Sequence, residues 1–504
     1  MTIIDYIDIQ RLLYNSYVRW LVAAVFCIVC LPRIIRILWY WYCVSGCDST
    51  GTDKPLPPGT MGYPLIGETV QLALKNANFY KNKYGKYGQI YKTHLLGNRT
   101  IRIAGAENIR KVLTGENTIV MSQWPKSVRC ILGDGALSMS DGGIHKFRKR
   151  LVLKSFSHEA LENYIPTITN TIRKCIAKWK DQGEILAFQE IKIMAFDLAM
   201  KIFVGMNDDP DRLNFMMKTF DTLIGNIFSL PYDIPGLGFH KSLAAKKILM
   251  DEISKTLDRV KEEGSPQPYT SAIHHLLELG DSEMYSKYEV CEAIQELLFT
   301  GHDTVTSAMN SAMLFLGQTP FVLKKIREEL KQHGFLQKDC EAFTLKTISE
   351  LNYTSNVTRE VLRVAPSVGA GYRKALKTFE VGGYRVPKGW TVAFGIRDTQ
   401  HTSPVFPDPE EFNPERWNNL PNLDRQEIDS KVDRFNYVPF GAGARTCVGR
   451  EYARLVTRIF LIELCRTSDW TLHNDNPKMK YIPVPRPVDD LPVTIYDYQP
   501  PDQQ

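Results

Sequence analysis

Phe440-Gly441-Ala442-Gly443-Ala444-Arg445-Thr446-Cys447-Val448-Gly449 stands immediately before a helical pattern that puts Leu455, Ile459 and Ile462 on one face. A bare reading allows a buried cysteine in a Gly-rich loop, or an echo of a phosphate-binding G-x-G. The dinucleotide fingerprint lacks its third glycine, and no clear strand with a ribose-binding acid follows the expected plan. What the stretch offers is a thiolate site. Cys447 lies at a helix start, where unpaired N–H groups and the helix dipole lower a thiol pKa. Glycines let the backbone close under a flat cofactor, Arg445 supplies a fixed cation for a carboxylate, and Phe440 can cover the sulfur. These are the needs of a haem thiolate ligand.

Upstream, Ser286-x-x-Glu289 signals the start of a helix, and Gly317 with Pro320 signals its end. Its middle reads Phe299-Thr300-Gly301-His302-Asp303-Thr304-Val305, a glycine and adjacent polar residues where apolar ones would be cheaper. A helix can open at such a place, leaving a carbonyl and the Thr304 hydroxyl to hold water while Asp303 connects to solvent. His302 reads as packed or solvated rather than as a ligand. Glu360-Val-Leu-Arg363 follows a Thr347-x-x-Glu350 capping pattern, so it is expected on a helix ending before Pro366. Its i, i+3 spacing puts both charges on one face, in isolation an ordinary surface ion pair.

The 504 residues are 44% hydrophobic and 23% charged, which excludes disorder, collagen and coiled coil. A net charge of +6 suits an acidic partner or a membrane surface better than nucleic acid. Ten cysteines are too sparse for a disulfide framework. An apolar run from Trp20 to Pro32 is followed by Arg33, Arg36 and the second apolar piece ILWYWYCV ending at Val44. Thirteen helical residues reach only ~20 Å, so a full span needs both pieces, with the arginines snorkelling; a helix lying on the membrane surface is the alternative. Residues 1–50 are therefore expected to be an anchor segment, 51–64 a stiff Pro/Gly-rich linker, 65–498 the main domain and 499–504 a polar tail. Helical patterns dominate, with a hairpin at Gln89–His94 and Thr100–Ala104 and a second strand-rich island around Phe379–Phe394.

Taken together, F-x-x-G-x-R-x-C-x-G, the Asp303-Thr304 helix, Glu360-x-x-Arg363 with Pro414-Glu415-Arg416-Trp417, and Gly142-Gly-Ile-His145-Lys-Phe-Arg148-Lys149-Arg150 resemble the cytochrome P-450 superfamily from about residue 55 to residue 498. That resemblance implies a mainly α fold with small β-sheets and haem b on Cys447. It implies that Asp303 and Thr304 form the acid-alcohol pair that feeds protons to oxygen activation, and that Glu360, Arg363 and Arg416 form a buried structural network. His145, Lys149, Arg373 and Arg445 would hold the haem propionates, with Phe440 also at the cofactor. The reaction would be hydroxylation of a lipophilic substrate with O₂. No flavin or NADPH motif is present, so electrons would come from NADPH-cytochrome reductase, with the protein on the endoplasmic reticulum membrane and its catalytic domain facing the cytosol.

Within the superfamily, Trp124-Pro-Lys-Ser-Val-Arg129-Cys-Ile-Leu-Gly133, Leu298-Phe-x-Gly-His-Asp-Thr304 and Ala375-Leu-Lys-Thr-Phe-Glu380 resemble the retinoic acid hydroxylase family. By that likeness Trp124, Phe299, Val368 and Gly369 line the substrate pocket. Arg129 would meet a carboxylate head group, unless it serves a propionate or faces solvent. A sterol or terpenoid hormone hydroxylase is the alternative; a lipid-peroxide isomerase and a non-catalytic haem sensor are more distant ones.

Overall fold

The computed structural model describes residues 16–75, 77–206, 209–264, 268–280, 286–337, 342–420, 434–481 and 483–499. The first fifteen residues of the expected anchor segment and residues 500–504 of the expected tail lie outside these. The chain divides into two compact units, one formed by residues through Ile103 with Lys374–Ala393, the other by Ala104–Arg373 with Phe394 onward.

The first unit opens with helix α1, Ser16–Val44, which runs through Pro32 and both arginines without a break. Val18–Val44 is long and apolar enough to cross a membrane, with a mean hydropathy of 2.4 over an 18-residue window. Its last turns are already engaged. Trp39 Nε1 donates to the Met61 carbonyl at 3.1 Å, its ring meets His94 edge-on, and Cys43 is fully buried. The apolar stretch left for a bilayer, Trp20 to Leu38, would reach ~28 Å as helix, while beyond it Trp39 and Cys43 pack on protein and Trp41 and Tyr42 stay exposed. A hairpin of β1 (Ile90–Leu95) and β2 (Asn98–Ile103) follows, turning at Leu96-Gly97. The Pro-rich linker lies along β1, where Lys92 N–H donates to Pro58 O.

In the second unit a continuous apolar core gathers the helices that matter for the site. In chain order these are α2 (Lys126–Leu132), α3 (Gly142–Val152), α4 (His158–Gln182), α5 (Ala187–Ala199), α6 (Gly238–Glu263), α7 (Lys287–Gln318), α8 (Asn352–Val364) and α9 (Arg450–Thr467). Helix α7 is the axis: α5, α6, α8 and α9 all pack against it. Its start is the capping box read from sequence, with Ser286 and Glu289 exchanging bonds. The capping pattern before Glu360 is displaced. The box there is Thr344 with Thr347, serving a short helix Leu345–Glu350. The start of α8 is instead capped by Glu329, whose carboxylate accepts from Tyr353 N, Thr354 N and Thr354 Oγ1 at 2.6–2.8 Å. A carboxylate suits the positive end of the helix dipole. The nine described cysteines are all free.

Candidate active site

Cys447 sits three residues before α9, in a loop whose shape its glycines set. Gly441 and Gly443 have φ of 66° and 70°, a region that side chains avoid. A Cβ at Gly443 would also lie 2.3 Å from the Leu113 carbonyl oxygen. Cys447 N–H donates to Phe440 O at 3.0 Å, closing the loop. Lys149 braces it from α3, its Nζ donating to Ala444 O at 2.7 Å and Thr446 O at 2.9 Å. Lys149 thereby links α3 to the cysteine loop, beside Arg445 and His145. Phe440 lies under the Arg454 guanidinium and lines a cleft with Arg434, Arg450 and Arg454.

The Cys447 side chain is solvent-accessible but crowded by protein atoms. Burial pushes its thiol up, against the Gly449 N–H and the nearby Lys149, Arg450 and Arg454, which pull it down. The helix start and the cations act here against the burial of the sulfur. A bound metal ion deprotonates a coordinating thiol outright.

A cation cluster lies beside this loop. Arg373 and Arg445 share Glu116, at 2.7 and 3.0 Å, and Arg445 also pairs with Asp141 at 2.5 Å. Arg445 Nη1 is buried with no hydrogen-bond partner. His145 is buried in the same cluster, and burial first, then Arg445, Lys149 and Arg373, push its imidazole down to about 4. Three cations and a neutral imidazole face two carboxylates. The surplus positive charge and the orphaned N–H fit a further anionic group, so the cluster suits a cofactor bearing carboxylates, and with the accessible thiol it suits haem b. Sequence reasoning missed Glu116 and Asp141 because neither belongs to a motif.

Helix α7 carries the polar turn. It stays helical throughout, where an opening was expected, and Thr304 Oγ1 donates back to Thr300 O at 2.8 Å. Gly301 has another explanation, because a Cβ there would come within 2.6 Å of the Phe203 ring. His302 is buried between Phe196 and Phe220, its Nε2 3.1 Å from Lys192 O and its Nδ1 3.2 Å from Asp303. Burial pushes the Asp303 carboxyl up, but His302, Lys192 and Arg486 outweigh it and hold it low. Ser367, absent from the sequence reading, donates its hydroxyl to Thr304 O at 2.7 Å. It thereby ties the half-open Val368 and the Gly369 that follow it to the Thr304 turn. Trp124 and Phe299 are half-buried against the main core. Arg129 is exposed near the end of α2 with no ion pair among the described residues.

Behind the cysteine loop, Glu360 and Arg363 are fully buried and paired at 2.8 Å. Arg416 joins at 2.9 Å, and Trp417 Nε1 and Asn413 N also donate to the same carboxylate. Arg363 spends its remaining N–H groups on Pro409 O and Glu411 O. Every strong polar group of this buried unit is met, the condition under which buried charge is tolerated.

The family model described as Cytochrome P450 matches residues 57–490. The chain belongs to the cytochrome P450 family. It is similar to Cytochrome P450 26A1 of Gallus gallus, 41% identical over 491 residues that cover 95% of this chain and 98% of that protein. Cytochrome P450 26B1 of Homo sapiens is 35% identical, covering 95% of this chain and 94% of that protein. A solved structure, retinoic acid bound cyanobacterial CYP120A1, superposes with a TM-score of 0.80 at 32% identity, over 89% of this chain and 100% of that one. This P450 is thus a haem-thiolate monooxygenase with haem b as its cofactor, using O₂, a redox partner and a lipophilic substrate.

Proposed function

We propose that this P450 hydroxylates retinoic acid or a similar isoprenoid acid. The observation that carries the reading is the likeness over the whole of a structure that holds retinoic acid. Cys447 is the haem ligand, and Arg373, Arg445 and His145 meet the propionates. Lys149 holds the ligand loop. Haem b, when bound, supplies oxygen activation and C–H oxidation. The chain's own part is to exclude water, orient substrate and move protons: Asp303 takes protons from solvent, and Thr304 passes them on through its hydroxyl. Glu360, Arg363 and Arg416 are structural. Trp124, Phe299, Val368 and Gly369 contact the apolar body of the substrate, and Arg129 its carboxylate.

Electrons come from NADPH-cytochrome reductase. The arginines of the cleft beside Phe440 give an acidic docking partner a basic surface. Helix α1 holds the protein in the endoplasmic reticulum membrane with the catalytic part toward the cytosol. A Soret spin-state titration across retinoic acid, retinol and a sterol panel tests the substrate. A shift with retinoic acid, and hydroxylated product with reductase and NADPH, is the expected result; a shift with sterols alone favours the alternative.

A further inference from the structure

Segment Ile131–Ser138, which takes in the end of the helix bearing Arg129 and the loop after it, is held by several side chains of α7. Gln295 Nε2 donates to Ile131 O at 2.9 Å. Glu292 accepts the Gly135 N–H at 2.8 Å, and Glu296 accepts those of Leu137 and Ser138 at 2.5 and 2.8 Å. Glu289 takes Arg148 at 2.7 Å, and Arg148 in turn donates to Asp134 O and Ser140 Oγ. Positions 289, 292 and 296 follow each other along one face of a helix. Glu292 and Glu296 are buried, and Lys246 of α6, itself buried, closes the other side of Glu292 at 3.0 Å.

The segment is shaped to receive these carboxylates. A Cβ at Gly133 would overlap Glu292 Oε1 at 1.6 Å, and φ there is 86°. Bonds from side chains to backbone N–H groups fix where the segment runs whatever its own side chains are. Burying two carboxylates is costly unless their lone pairs are met, and here they are met by this segment's amides. The clamp therefore also ties α6 to the segment through Lys246.

We propose that Glu292 and Glu296 are positioning residues for substrate, clamping segment Ile131–Ser138 so that α2 presents Arg129 in a fixed place; this rests on the reading of Arg129 as a substrate contact. The test uses the full, haem-loaded chain and two measurements. Hydrogen exchange of peptides covering residues 131–138 reads the clamp, and a retinoic acid Soret titration reads its consequence. In Glu296→Gln an amide N–H₂ replaces one acceptor opposite a backbone N–H, so exchange at Leu137 and Ser138 should accelerate at least about tenfold. The retinoic acid Kd should rise about tenfold, with haem content and the reduced carbonyl spectrum as in wild type. Lys246→Met should accelerate Gly135. Adding Glu292→Gln to it should restore protection, because the glutamine oxygen still accepts from Gly135 without a buried charge.

Unchanged exchange in Glu296→Gln and Lys246→Met overturns the clamp. Faster exchange with an unchanged retinoic acid Kd overturns its role in positioning substrate, and faster exchange everywhere with loss of haem reduces it to general stability. If wild type gives no response to retinoic acid while the 131–138 amides still accelerate, the substrate reading fails and the clamp stands.

Discussion

Arg445 Nε lies 3.0 Å from the Glu116 carboxylate. Because the opposite oxygen of that carboxylate holds Arg373 at 2.7 Å, two arginines 72 positions apart in sequence are oriented by one acid. A guanidinium held in this way loses little further freedom when it meets a carboxylate of a ligand. The burial of Arg445 Nη1 without a partner fits the same purpose, since an unmet buried donor is costly until something accepts from it.

Cys447→Ala should remove the thiolate spectrum of the reduced carbonyl complex. No other described cysteine combines an accessible side chain with this loop, this lysine brace and this cation cluster. A variant that keeps the thiolate spectrum places the ligand elsewhere.

The position of His145 predicts a dependence on pH. Its folded-state value of about 4 lies below the unfolded 6.5. A base depressed in this way contributes stability that is whole above pH 6.5 and is lost as pH falls toward 4. At pH 5.5 the loss is roughly 1.4 kcal/mol for the chain without haem, and less once propionates lie nearby to favour the imidazolium. Unfolding midpoints of wild type and His145→Gln at pH 7.5 and 5.5 check this. Equal slopes in both proteins would acquit His145.

Arg363→Ala should leave Glu360 buried with one partner fewer, at a cost of roughly 3–5 kcal/mol, and yield little haem-loaded protein. Haem content per purified chain is the measurement. Arg363→Lys should rescue only in part, since one ammonium cannot meet Glu360, Pro409 O and Glu411 O in a fixed fork.

Local structure was readable where residue types are unusual together: the cysteine loop lies just before a helix, Asp303 and Thr304 lie within one long helix, and Glu360 pairs with Arg363. Helix α7 was legible at both ends because capping chemistry is local. Its middle misled, since Gly301 answers to Phe203, a neighbour that only folding brings close. The same holds for Glu116, Asp141, Ser367 and the Glu292–Glu296 clamp, which are ordinary residues until a distant partner arrives. The two carbonyls that Lys149 meets were not legible either, because a lysine can reach several and nothing local selects among them. At Cys447, too, sequence shows the helix start but not the atoms that desolvate the sulfur.

Thr304→Ala should bind haem and substrate normally yet divert reducing equivalents to peroxide. The hydroxyl's own proton already rests on Thr300 O, so its loss should spare the helix while removing the relay. General acid-base assistance is typically worth 10²–10⁴-fold, so product per NADPH should fall at least about tenfold. Coupling equal to wild type would rule out Thr304 as the relay.

Arg129 offers the sharpest test of substrate. It is exposed, carries no ion pair among the described residues, and is absent from the cluster in which Glu116 gathers Arg373 and Arg445. An exposed guanidinium without an ion pair is open to a ligand carboxylate. A charged hydrogen bond to a carboxylate contributes about 1.5–3 kcal/mol. Arg129→Ala should therefore weaken retinoic acid by ~10–100-fold while hardly changing retinol, which presents the same apolar body without the charge. Lysine at 129 should recover part of the loss, because the charge returns without the fork. Soret titrations of the three proteins with both ligands decide the matter. Equal losses for acid and alcohol would assign Arg129 to the shape of the α2 segment rather than to the head group, and no loss for either would leave it in solvent.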